Sequence, residues 1–156
     1  MDIRSLRDDT DWVQKTIDDM QAMDADLKQM ADDCGDPAKV EADWQKYNAD
    51  YNKYCNDFRN ATSSNQLPDK SDANFWTQTF IDCCSIYNGA EDLHEMCLDG
   101  TDKQTVEDAF DALDRVVVDL DTLLEPYVKP HATSPTPATM LDATALNNFA
   151  RLEQRS

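Results

Sequence analysis

Three seven-residue blocks follow one another between Val40 and Asn60: VEADWQK, YNADYNK and YCNDFRN. Each has an apolar residue first, an Asp fourth and an aromatic fifth. Val40, Trp44, Tyr47, Tyr51, Tyr54 and Phe58 therefore recur at steps of four and three, which lays a single stripe along an α-helix and cannot lie on one face of a strand. Lys39, Lys46 and Lys53 alternate with Asp43, Asp50 and Asp57 at the same spacing, predicting a charged ladder beside the stripe.

The rest of the chain carries the same period. A first helix is expected from about Asp2 or Ser5 to Asp33, with Leu6, Val13, Ile17, Met20, Leu27 and Met30 on its stripe and Asp24 interrupting one step. Gly35 suits the position after its end, and Pro37 follows where that helix cannot continue. Asp36 as N-cap and Pro37 at the first helical position open a second helix, expected to run to about Asn60. After the polar loop ATSSNQLPDKS, a third helix is expected from Ser71 or Asp72 to Leu98. Its inward candidates are Phe75, Trp76, Phe80, Cys83, Cys84, Tyr87, Leu93 and Cys97, and Gly89 is its weak point. Gly100 ends it. Thr101 and Gln104 form a T-x-x-Q capping box for a fourth helix, whose stripe is Val106, Phe110, Leu113, Val117, Leu120 and Leu124. Pro126 and Pro130 stop that helix, and KPHATSPTPAT reads as an extended linker. A short fifth helix from about Ala138 to Glu153 would present Leu141, Ala145, Phe149 and Leu152.

Long helices with short connections predict an all-α chain: an antiparallel up-down four-helix bundle, followed by a Pro/Thr linker and a short C-terminal fifth helix. The expected division is an acidic bundle over residues 1–128 and a linker with tail helix over 129–156. The tail helix either packs back on the bundle or docks to another chain.

Charge changes the functional picture. The 156 residues carry 32 acidic and 14 basic side chains, a net charge of −18. Of the acids 26 are Asp and 6 are Glu, although Glu is the better helix former, so helix propensity did not select them. A chain this acidic repels phosphates, which argues against direct binding to nucleic acid or to an anionic membrane. No apolar run is long enough to insert into a bilayer. The first residues, MDIRSLRDDTDW, do not read as a signal peptide. As written, the chain reads as intracellular; removal of a leader would make it extracytoplasmic.

Five cysteines suggest disulfides. At about 1.5 Å per residue, an up-down bundle brings Cys34 to the level of Cys97, and Cys55 to the level of Cys83 and Cys84. Two bridges are then possible, Cys34–Cys97 and Cys55 with Cys83 or Cys84, which would point to an oxidising compartment. Unbridged, the same residues serve as small core side chains.

Candidate chemistry is sparse. Glu91 and His94 have the Glu-x-x-His spacing of di-iron bundles, but the second such pair that a di-iron site requires is missing, the other histidine being His131 in the linker. Cys34, His94 and Cys97 with an acid would be acceptable zinc ligands, without the tight C-x-x-C pairing of such sites. No Gly-rich loop, strained nucleophile turn or EF-hand spacing is present. The expectation is a non-enzyme without cofactor or metal.

What is left is an acidic interaction module, an inhibitor, adaptor or accessory subunit that binds a basic protein partner. Asp108, Asp111 and Asp114 on the fourth helix, with Asp18, Asp19 and Asp26 on the first, are its candidate contacts. Two alternatives stand beside it. One is a DNA mimic whose carboxylates, roughly 5 to 6 Å apart per turn, occupy a nucleic-acid-binding protein. The other is a secreted helical inhibitor, effector or carrier braced by disulfides through Cys34, Cys97, Cys55 and Cys84.

Overall fold

All four helix starts share one device: an aspartate whose carboxylate accepts a backbone N–H of the first turn. Asp11 accepts from Gln14, Asp36 from Lys39, Asp72 from Phe75 and Asp102 from Thr105. Short carboxylates cap better than Glu, which accounts for part of the Asp excess. A computed structural model describes residues 10–129, and among these every regular element is helical. The elements are α1 (Trp12–Asp32), α2 (Pro37–Ser63), α3 (Ala73–Asp99), α4 (Lys103–Leu124) and a closing 3₁₀ turn, Glu125–Tyr127. Leu6 and the expected fifth helix lie outside the described residues.

Three expected boundaries shift. α2 runs three residues past Asn60, to Ser63. α1 opens at Trp12 rather than at Asp2 or Ser5, because Asp11 supplies the cap. The Thr101–Gln104 box does not form. Asp102 caps α4 one residue later, taking both the amide and the hydroxyl of Thr105, while Gln104 turns to Asp108.

The stripes of α1, α2 and α4 converge as expected, with Val13, Ile17, Met20, Leu27, Val40, Tyr47, Val117 and Leu120 fully buried. Helix α3 is rotated from the expected face. Its buried residues are Phe75, Thr79, Asp82, Ile86, Ala90, Leu93 and Cys97, a regular run of steps of three and four. Phe80 and Tyr87 fall outside that run and stand 70% and 45% exposed, and Cys84 is exposed as well. Thr79, Asp82 and Ala90 thus share the inward face with Phe75, Ile86 and Leu93, while Phe80 and Tyr87 point out.

Gly89 is a contact point rather than a weakness. A Cβ there would stand 2.5 Å from Leu113 Cδ2 and 3.1 Å from its Cγ, so the absent side chain lets α3 and α4 close on each other. α3 ends on Gly100 in the left-handed conformation, at φ +75°.

Helix α2 packs closely on α1 and only loosely on α3. The wider α2–α3 gap is bridged by rings: Trp44 stacks on His94 with centroids 4.3 Å apart, Tyr51 meets Tyr87 at 5.6 Å and Phe58 meets Trp76 at 5.9 Å. Cys34, just past α1, is bridged to Cys97 near the end of α3, with Cα atoms 4.6 Å apart. At the other end the Gln66 side chain accepts from Trp12 N and donates to the Thr10 carbonyl, tying the α2–α3 loop to the start of α1.

Candidate functional site

Two features stand out, one on each side of α2. The first is the seam with α1. Asp19 and Asp26 of α1 and Asp33 at its C-cap recur every seven residues and face Asp57, Asp50 and Asp43 of α2 in turn, close enough for each pair to interact. A hydrogen bond between two carboxyl groups needs one of them protonated. In each pair burial and the facing carboxyl favour the protonated form of one acid. Burial comes first in raising Asp26 to about 7, with Asp50 as the second cause. Burial likewise raises Asp19 to about 6, helped by Asp57, and Asp43 to about 6, helped by Asp33. The lysine ladder flanks the same pairs. Lys46 Nζ lies 3.3 Å from Asp26 Oδ1 and Lys53 Nζ 2.8 Å from Asp19 Oδ1, pulling both acids part of the way back down.

This placement divides the expected contact residues. Asp19 and Asp26 are buried, 3% and 4% exposed, and belong to the seam rather than to a surface a partner could meet. Asp18 is exposed and accepts from the Gln14 amide. Asp108 and Asp111 are exposed on the outer side of α4, and Asp114 is half-buried beside them. Sequence reasoning had the ingredients of the seam, since Asp19, Asp26 and Asp33 match the spacing of the α2 blocks. A polar residue repeated every seven positions ordinarily reads as a solvated face, so the signal was legible only once the two helices were laid antiparallel.

The second feature is the open groove between α2 and α3. A cavity of about 520 Å3 is lined by Tyr54, Cys55, Phe58, Thr79, Phe80 and Cys83, with Arg59 and Ser63 at its rim, and a second of about 310 Å3 continues it past Cys84 and Tyr87. The Tyr54 hydroxyl and the Cys83 thiol lie 2.8 Å apart, and burial pushes both pKa values up. Burial also raises Tyr51, to about 12. These groups stay neutral at ordinary pH, so the groove floor is apolar and uncharged. Thr79 is distinctive within it. Thr16, Thr62 and Thr122 each donate to the carbonyl four residues back, whereas the buried Thr79 hydroxyl has no partner.

The expected bridge from Cys55 to Cys83 or Cys84 is not formed; all three are free thiols, and Cys55 and Cys83 line the same cavity. His94 is held flat against Trp44, with Nε2 3.7 Å from Glu41 Oε2. Cys34 and Cys97 are consumed by their bridge, which takes away two of the ligands considered for zinc beside His94. Among the described residues no group of three or more His, Cys, Asp or Glu side chains is arranged to hold a metal ion, and no helix is long and apolar enough to cross a membrane.

No family model, curated protein or solved structure matches this chain.

Proposed function

We propose that this chain is a non-catalytic interaction module, an up-down four-helix bundle with a short fifth helix, that binds a basic protein partner through its α3–α4 side. The supporting observation is the uneven distribution of charge. Residues 73–124 carry twelve acids against two bases, Lys103 and Arg115, and α3 itself contains no lysine or arginine. On the α1–α2 side, Lys46 and Lys53 are each engaged with an aspartate, and burial raises the seam acids Asp19, Asp26 and Asp43. The larger excess of acidic over basic side chains therefore lies over α3 and α4, where it steers a cationic partner and raises its association rate.

The Cys34–Cys97 bridge favours an oxidising compartment as the setting for this module, since such bonds are reduced in most cytosols.

The test is a pull-down from the native source at low and at high salt, with wild type beside Asp108→Asn/Asp111→Asn/Asp114→Asn. The triple variant keeps its helical circular dichroism and loses most of the salt-sensitive capture. Undiminished capture by the triple variant would move the interface off α4.

A further inference from the structure

We propose that the groove between α2 and α3 is the seat of the chain's own C-terminal segment, residues 138–153, which lies along it as a helix.

The groove has the character of a helix receptor: long, open, apolar and bordered by exposed aromatics. Its lining on α2 runs from Tyr51 to Ser63, a rise of about 18 Å, and on α3 from Thr79 to Asn88, about 14 Å. As a helix, the stripe from Leu141 through Ala145 and Phe149 to Leu152 would extend about 16 Å, which matches. Phe80, which lines this groove, is 70% exposed, the most of any large hydrophobic side chain among the described residues.

The point of departure fits as well. The backbone N–H of Lys129 donates to Asp11 Oδ2, at 2.9 Å, which anchors the chain where it leaves the described fold. From there three successive ring contacts, each under 6 Å, lead into the groove: Tyr127 on Phe75, Phe75 on Trp76 and Trp76 on Phe58. If extended, the eight residues 130–137 would span about 25 Å, more than the three ring-to-ring steps together. A tether this short holds the segment at a high effective concentration beside its site.

Charge selects this occupant over a second copy. In residues 138–156 Asp142 and Glu153 balance Arg151 and Arg155, whereas a second chain would bring a net charge of −18 against an equal charge. This inference uses the fifth helix of the reading above but not its partner, and the α4 carboxylates play no part in its test.

Cys84, an exposed free thiol on the groove wall, is the reporter. In the full-length chain, alkylation of Cys84, resolved from Cys55 and Cys83 by peptide mass, is compared between wild type and Leu141→Asp/Phe149→Asp. The variant reacts roughly tenfold faster, the factor for a segment seated about nine-tenths of the time. Its circular dichroism melt, dominated by α1–α4, is unchanged. Hydrogen exchange gives a second reading: amides of 138–153 are slowed in wild type and released by Phe80→Asp, a surface change. Equal Cys84 rates in wild type and variant would overturn the proposal. So would 138–153 exchanging as an unfolded chain in wild type. Protection that grows with protein concentration alongside a dimer mass would assign the groove to a second copy and overturn it equally.

Discussion

Asp26 and Asp50 face each other across the α1–α2 seam, with Lys46 Nζ 3.3 Å from Asp26 Oδ1 and burial raising Asp26 to about 7. Asp19 with Asp57, and Asp33 with Asp43, repeat the arrangement one heptad to either side. The folded chain thus binds protons that the unfolded chain releases near pH 4. Between about pH 4 and 7 the native state holds more protons, so stability falls as pH rises through that window. Urea unfolding at pH 5 and pH 8 will show the higher midpoint at pH 5. Asp26→Asn keeps a donor to Asp50 without needing a proton. It raises stability at pH 8 by on the order of 1 kcal/mol, after allowance for solvent screening, and flattens the pH dependence.

The Cys34–Cys97 bridge closes a loop of 63 residues. On the chain-entropy account such a closure is worth about 4 kcal/mol, through restriction of the unfolded ensemble. Cys34→Ser/Cys97→Ser will lower the unfolding free energy by about 2 to 4 kcal/mol, and a reductant will do the same to wild type but not to the variant. Thiol counting on the denatured, unreduced protein returns three free groups, Cys55, Cys83 and Cys84.

Leu113 and Tyr51 separate core from groove. Leu113 is 4% exposed between α3 and α4, so Leu113→Asp buries an unpaired charge and costs more than about 4 kcal/mol, abolishing the cooperative melt. Tyr51 is only half-buried at the groove wall, and Tyr51→Asp costs about 1 to 2 kcal/mol with the melt retained. Thermal circular dichroism on both variants checks the contrast.

Gly89→Ala would stabilise an ordinary helix interior by about 1 kcal/mol. Here the new methyl meets the Leu113 side chain, which is packed in the core and must change rotamer. The substitution will instead lower stability by about 1 kcal/mol or more, and adding Leu113→Ala will make the two effects non-additive in a double-mutant cycle.

The repeats of α2, the Asp36–Pro37 start and the stripe of α4 were legible because apolar spacing and backbone chemistry agree there. Helix α3 was not. Phe75, Leu93 and Cys97 point inward as expected, but Phe80 and Tyr87 weigh heavily in any reading by hydrophobicity. The positions between Phe75 and Leu93 that lie in register with the core are instead Thr79, Asp82, Ile86 and Ala90. The seam escaped for the converse reason: Asp19 and Asp26 are buried because α2 offers each of them a second carboxyl and a lysine, and no property of α1 alone announces that. The Cys34–Cys97 pairing followed from helix height, whereas similar height for Cys55 and Cys83 left two free thiols lining one cavity, with Cys83 hydrogen-bonded to Tyr54.

The retained protons also alter what counter-ions feel. Below about pH 6 roughly three of the carboxyls that the composition counts as negative are masked inside the seam. Electrophoretic mobility and ion-exchange retention will then report a weaker anion than −18 implies. Mild acidification takes that charge from the α1–α2 flank first, leaving the α3–α4 flank to dominate the molecule's dipole.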